Sequence, residues 1–253
     1  MLTQLPLIFF SPTKGTRNAI RTMASMIATS TTDVDLSSPS PTFPSFSATD
    51  TVLVGAPVFG GRIPTTNAER LLQCQGNGAL AISVVCYGNR AYEDALLELN
   101  NTLTKAGFTV IASAALITSH SMDRSFGVGR PDEGDNKRMA YFCHDVLNKI
   151  TTGKHSTPVV PGNIPYKEYI PAPVVPTPLN NCTQCGHCAS VCPTQAIDYS
   201  NFLVPQPENC IRCVRCIDDC PENARSFPQA FLNKVHEMLS SKASTRQEPE
   251  FFI

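Results

Sequence analysis

The stretch from Cys182 to Pro221 constrains this chain more than any other. It reads Cys182-x2-Cys185-x2-Cys188-x3-Cys192-Pro193, then Cys210-x2-Cys213-x2-Cys216-x3-Cys220-Pro221, one cadence used twice. Triplets of thiols at this spacing suit a cubic iron–sulfur cluster. Two residues between ligands let a short loop wrap one side of the cube, with backbone N–H groups turned toward the sulfurs. Those donors, together with net charge and exposure, set the reduction potential. So short a loop cannot close around the far corner, and a fourth thiolate must come from elsewhere. Proline after Cys192 and Cys220 fixes φ and stops a helix from continuing. The rival readings are disulfides and a zinc site, whose ligands pair as C-x2-C rather than forming triplets with a remote Cys-Pro.

The segment from Leu179 to about Arg225 resembles a bacterial two-cluster [4Fe–4S] ferredoxin, a small α+β domain in which the fourth cysteine of each run serves the other cluster. The resemblance implies Cys182, Cys185, Cys188 and Cys220 on one cluster, and Cys210, Cys213, Cys216 and Cys192 on the other. Gly186, Ala189, Ala196 and Ala224 are small, as a close wrap requires, and Ile197, Val204 and Ile211 are expected to fill the space between clusters. Such a segment has little core of its own, so metal binding supplies much of its folding energy. Arg212 and Arg215, between ligands of the second run, either raise that cluster's potential, dock a partner carboxylate, or simply face solvent.

The 253 residues allow one large or two modest domains. A net charge of −1, with 16% charged residues, shows neither a basic stripe for nucleic acid nor an acidic tail. No apolar run is long enough to span a membrane, and no signal peptide is expected. Of 11 cysteines, Cys74, Cys86 and Cys143 fall outside the two runs. That scattered remainder is expected as buried thiols in a reducing cytoplasm.

Ahead of the cysteines, apolar runs alternate with helical spacing. Strands are expected at 5–10, around Val34 and Leu36, and at 51–56, 80–86 and 109–118; helices are expected at 16–29, 64–73, 92–106 and 135–150. Continuous apolar strands separated by helices imply an α/β fold, a doubly wound five-stranded parallel sheet covered on both faces. The expected strand order is 2-1-3-4-5, with a ligand at the switch point beside the first and third strands.

That placement singles out particular loops. The first, Ser11-Pro12-Thr13-Lys14-Gly15-Thr16, opens a helix, where hydroxyls and backbone N–H groups suit a phosphate dianion. The plain alternative is a helix cap. It is not a Walker A loop, because the leading glycine is missing and Lys14 precedes Gly15. The second loop, Gly55 to Pro64, has adjacent glycines that let backbone approach a flat ring, and Phe59 to stack on it or wall it. The third, Tyr87-Gly88-Asn89-Arg90 followed by Tyr92, offers aromatic and polar edges to a heteroaromatic ring. For both, the bland alternative is a turn. A longer loop, Ser119 to Gly134, puts His120, Met122, Arg124 and Arg130 where they would cover the ring, receive the cysteine segment, or lie in solvent.

Residues 1–150 resemble the flavodoxin family. Ser11, Thr13 and Thr16 match its Ser/Thr-x-Thr-Gly-x-Thr phosphate pattern, with Lys14 at the usual glycine position and Gly15 one place late. The resemblance implies FMN, its phosphate held by Ser11, Thr13, Lys14, Gly15 and Thr16. Pro57, Val58, Phe59, Gly60, Gly61, Tyr87, Gly88, Asn89, Arg90 and Tyr92 would surround the ring. As a whole the chain is similar to the flavodoxin–ferredoxin fusion proteins of anaerobes (the EFR1-type family), through the stretch Tyr87 to Leu96 and through His120-Ser121 and Gly129-Arg130-Pro131-Asp132.

The expected layout is a flavin domain at 1–150, a proline-rich linker at 151–178, a two-cluster domain at 179–226, and a C-terminal helix and tail at 227–253. Ile164, Tyr166, Tyr169 and Ile170 are too apolar for a free tether and are expected to lie along a domain surface. A helix is expected at Ala230–Leu239, and the last dozen polar residues are expected to fray. The linker is long enough for the clusters to meet the FMN of the same chain or of a homodimer mate. The implied function is electron transfer between two [4Fe–4S] clusters and FMN, converting between one- and two-electron carriers. The outside partner would be a redox protein or a small electron acceptor, not nucleic acid. The alternative is an FMN-dependent reductase of a small organic molecule, with His120, Tyr87 or Arg90 supplying a proton or anchoring an anion. No G-x-G-x-x-G follows a strand, so no NAD(P)H fingerprint is present.

Overall fold

The computed structural model describes every residue except Asn201, Phe202 and Val204. Strands β1 (Leu5–Phe9), β2 (Thr31–Asp35), β3 (Thr51–Pro57), β4 (Leu80–Tyr87) and β5 (Thr109–Ile117) pair in parallel in the order β2-β1-β3-β4-β5. Side chains alternate along a strand, so each strand feeds two cores. Leu5, Leu7, Phe9, Leu53, Ile82 and Val84 pack under α1 (Gly15–Ile27) and α4 (Glu133–Thr152). Ile8, Phe10, Val52, Val54, Ala81 and Val85 pack under α2 (Thr65–Leu71) and α3 (Ala95–Lys105). Each fully buried Leu, Ile or Phe stabilises the sheet by about 1.5–3 kcal/mol relative to exposure. Ala19, Ile20, Met23 and Ile27 recur at helical spacing on the buried face of α1. A capping box between Asp132 and Asp135 starts α4, and Gly153, at φ 68°, ends it.

The cysteine segment has little regular structure. β6 (Thr177–Pro178) and β7 (Arg225–Ser226) pair antiparallel around it. Among the described residues between them lie two single-turn helices, α5 (His187–Ser190) and α6 (Arg215–Asp218). Its buried centre is Ala189, Cys192, Ala196 and Ile197. Helix α7 (Gln229–Lys242) follows and is longer than the sequence spacing marks.

The last residues do not fray. β8 (Glu250–Phe252) joins β5 as a sixth, antiparallel strand, with Phe251 opposite Ala114. Polarity alone hides this, because two phenylalanines do the anchoring. Phe251 packs on Phe142 at 4.9 Å on one face of the sheet, and Phe252 joins the core on the other. The added strand covers a β5 edge that would otherwise be open to pairing.

The linker also differs in part. Asn101 donates to the Tyr166 hydroxyl at 2.7 Å, and the Arg62 guanidinium lies 4.7 Å over the Tyr166 ring. Ile164 and Ile170, however, are 75% and 78% exposed. Polar contacts pin this segment instead: the Asp94 carboxylate accepts the Asn163 and Lys167 N–H groups at 2.8 and 2.6 Å. Cys74, Cys86 and Cys143 are buried and unpaired, with burial pushing their thiols up to about 11, 12 and 12. Among the described residues no helix is long and apolar enough to cross a membrane.

Candidate functional site

The fold brings the cysteines together as two crossed sets. Cys182, Cys185, Cys188 and Cys220 line one cavity, with Gly186 and Arg225. Cys192 sits instead with the second run: Cys188, Cys210 and Cys216 pack around its small core, and charge on Cys192 is felt at Cys210, Cys213 and Cys216. Among the described residues no three acidic, His or Cys side chains converge tightly enough for a single ion. The thiols surround a volume instead, which suits a cubane bound at its corners.

The backbone repeats with the sequence. Gln184 and Gly186 in the first loop have φ of 57° and 76°; Arg212 and Val214, their counterparts, have 52° and 70°. Successive left-handed residues turn N–H groups inward, a nest for a negatively charged group. Cys210 accepts from the Arg212 backbone N–H, and Cys213 from that of Arg215. Ala224 N–H donates to Cys220 Sγ at 3.3 Å, and Arg225 to Cys188 Sγ at 3.4 Å. Burial pushes the free thiols of Cys188 and Cys210 up, that of Cys216 to about 12, and that of Cys213 higher still. Such thiols ionise only against a compensating positive centre, which metal binding supplies.

At the carboxyl ends of β1, β3 and β4 lies a crevice formed by Ser11, Thr13, Gly15, Thr16, Pro57, Tyr87 and Gly88. Ser11 Oγ accepts the Arg17 N–H at 3.0 Å and so serves as a helix cap as well. Lys14, at φ 66°, adopts the left-handed backbone that a glycine would take, and its Nζ leaves the crevice to reach Asp219 Oδ1 at 3.0 Å. The crevice holds only about 50 Å³, but it shares Val58, Phe59, His120 and Ser121 with a neighbouring chamber of about 350 Å³. The first is lined by the hydroxyls of Ser11, Thr13 and Thr16 at the start of α1, the second mainly by apolar side chains. Phe59 and Arg62 close a turn with reciprocal backbone bonds of 2.8 and 3.2 Å, over Gly60 and Gly61 at φ 62° and 91°. Both positive angles favour glycine. A Cβ on Gly60 would meet the linker's Tyr169 ring at 2.1 Å, and one on Gly88 would meet His120 at 2.4 Å.

The second cysteine set docks on this edge. Cys213 lines the crevice, and Ile211 and Arg212 line the chamber. Ile211 therefore packs against the β-sheet core rather than filling between clusters; Ile197 alone among the described candidates does that, and Val204 lies outside the described residues. Arg70 donates to Pro193 O at 2.6 Å, Arg215 to Ser37 O at 2.7 Å, and Arg124 pairs with Asp218. Arg212 and Arg215 are thus not solvent-facing. In the long loop His120 and Met122 lie in the chamber wall and Arg124 pairs with the cysteine segment.

A family profile for a 4Fe–4S dicluster domain matches residues 181–224. Similar solved structures include oxidised flavodoxin 1 from Bacillus cereus, at 16% identity and TM-score 0.40, covering 58% of this chain and 98% of that one. The flavodoxin of Streptococcus pneumoniae TIGR4 follows at 15% and 0.40, covering 58% and 99%. The flavodiiron core of Flv1 from Synechocystis sp. PCC6803 gives 16% and 0.42, with 60% of this chain but only 36% of that one covered. No curated protein matches in sequence. The strand order with its switch-point crevice carries the fold assignment, and the cysteine profile carries the rest. The chain joins a flavodoxin-like α/β fold to a 4Fe–4S dicluster domain.

Within the fusion, part of the third loop serves the tail. Asn89 is 6% exposed; its amide donates to Ala243 O at 2.6 Å and Thr245 O at 2.9 Å, and its Oδ1 accepts the Gln247 N–H at 3.0 Å. Tyr92 donates to Glu250 at 2.8 Å. Arg130 is buried against Asp135 and donates to Gln247 O at 2.9 Å. Arg90 lines the chamber but pairs with Glu93 at 3.1 Å. Burial keeps His120 below its ordinary pKa, hence neutral, and pushes the Tyr87 phenol up to about 12. Neither is tuned as a proton donor near neutrality. Tyr169, Ile211, Val235 and Leu239 also wall the chamber. The sequence places Ile211 between the clusters and the last two on a C-terminal helix, with no sign of this position.

Proposed function

We propose that the fusion is an iron–sulfur flavoprotein that carries electrons between two [4Fe–4S] clusters and FMN. In this reading residues 1–150 hold the flavin, 151–178 link, 179–226 hold the clusters and 227–253 clamp the two together. The observation that carries it is Cys213, a ligand of the second set, in the wall of the crevice formed by Ser11, Thr13, Thr16 and Tyr87. When bound, FMN accepts one or two electrons and each cluster one. The chain's own residues supply placement. The Ser11–Thr16 loop would take the phosphate at the α1 N-terminus. The turn at Gly60 and the walls at Phe59, His120 and Met122 would take the ring, and the crossed cysteine sets the two cubes.

Relay fits better than reduction of an organic substrate, because linker, cluster loop and α7 all contribute to the ring chamber. The second set faces the flavin, while Cys185 of the first set is exposed, so outside electrons would arrive or leave at the first set. Anaerobically purified protein should carry about eight irons and one FMN per chain. Rapid-mixing with a one-electron reductant should show cluster bleaching followed by flavin bleaching. A flavin-free preparation that also refuses added FMN would sink the reading.

A further inference from the structure

The loop that carries Cys210 and Cys213 does more than ligate. Between them stands Arg212, 7% exposed and at φ 52°. Its side chain lines the ring chamber, and its Nη1 donates to Ala172 O. Its Nε is buried with no hydrogen-bond partner among the described residues. A guanidinium is always charged, and an orphaned N–H on it costs more to bury than a neutral one. The other cations in the chamber wall are differently placed. Arg90 and Lys167 both pair with Glu93, at 3.1 and 2.7 Å, and Lys242 is exposed. No acidic side chain lines the chamber.

We infer that Arg212 is a flavin-binding residue supplied by the second cluster loop, its guanidinium charge set in the chamber wall for an acceptor atom of the isoalloxazine ring. This rests on the relay reading above and deepens it. One dipeptide step, Ile211-Arg212 between two ligands, then serves both cofactors, so occupancy of each site favours occupancy of the other, and the coupling is reciprocal. The fixed positive charge also favours the reduced, more electron-rich ring and raises its potential.

The test uses the full, cluster-loaded chain freed of flavin and titrated with FMN by fluorescence quenching. Arg212→Gln removes the charge. Arg212→Gly removes the side chain while suiting the left-handed backbone, so the loop and its cluster persist. With iron content kept, either variant should bind FMN on the order of 10–100-fold more weakly, the loss typical of one charge-assisted hydrogen bond. The flavin potential should shift negative in a spectroelectrochemical titration. FMN affinity within twofold of wild type and an unmoved potential, in a variant that keeps its iron, would overturn the inference and leave the relay reading standing. Wild-type protein that binds no FMN would overturn the relay reading itself.

Discussion

The two cysteine loops are built alike and placed unlike. Gln184 and Gly186 in one, Arg212 and Val214 in the other, take the same left-handed turns, and each loop ends in a single helical turn. Yet Cys185 is exposed where its counterpart Cys213 is buried, and Gln184 is exposed where Arg212 is 7% exposed. The repeat fixes how a cube is held. What surrounds the cube decides what it exchanges electrons with. Val214 shows the strain this tolerates, since a β-branched residue at φ 70° persists only where packing over-determines it.

The largest expected effect comes from deleting one ligand in each loop. Cys213→Ser should drop iron from about eight to about four per chain and abolish electron exchange with the flavin. Cys185→Ser should lose the same iron but leave the second cluster in fast exchange with the flavin, while reduction by an outside protein slows. Iron analysis with freeze-quench EPR measures both; equal loss of flavin exchange would break the assigned order.

A second contrast lies in the loop backbones. A Cβ at Gly186 meets nothing closer than the Tyr199 ring at 3.6 Å, so Gly186→Val is sterically allowed but conformationally strained at φ 76°. It should destabilise the first loop by about 1–3 kcal/mol, read as a lower denaturant midpoint for cluster loss. An unchanged midpoint would mean the cube, not the backbone, sets that geometry.

Smaller still is the effect of the docking pairs. Lys14–Asp219 and Arg124–Asp218 are formed by exposed cations, so each contributes about 0–1 kcal/mol and is screened by salt. Lys14→Gln with Arg124→Gln should slow exchange between flavin and second cluster by less than about tenfold, with much of the salt dependence gone. A salt-independent wild type would show that docking rests on the buried backbone contacts of Arg70 and Arg215.

The mildest test concerns the tail that holds α7 against the second loop's side of the chamber. Hydrogen bonding from Arg246 keeps the Asp132 carboxyl down at about 2, below its ordinary 3.8. A depressed folded-state value means the stabilisation is complete above about pH 4 and fades as pH falls toward 2. Amides of Phe251 and Phe252 should then exchange faster over that window than their intrinsic rates explain, and Asp132→Asn should flatten the dependence.

Much of this was legible in residues alone, for local reasons. Four buried strands and four helices are written in apolar periodicity, the exposed edge strand β2 only faintly, and the switch-point rule points to the edge where the crevice lies. The misses share a cause. Glu250–Phe252 looked like a polar end because its partner strand lies over 130 residues earlier. Asn89 and Tyr92 read as ring contacts from their place in the loop, and in the fold their polar atoms bind the tail. Ile211 and Tyr169 are ordinary apolar residues whose role depends on which surface they meet.

What the sequence by itself determined is the inventory: eight thiols in two runs of one cadence, a parallel sheet, and hydroxyl- and glycine-bearing loops at its switch point. Those follow from spacing and periodicity, which are local. Only the tertiary structure decided that the second set, not the first, lies on the crevice edge, and that the tail returns to the sheet beside β5. Docking of that kind is summed from scattered ion pairs, backbone acceptors and a few apolar contacts, and no single stretch of chain encodes the sum.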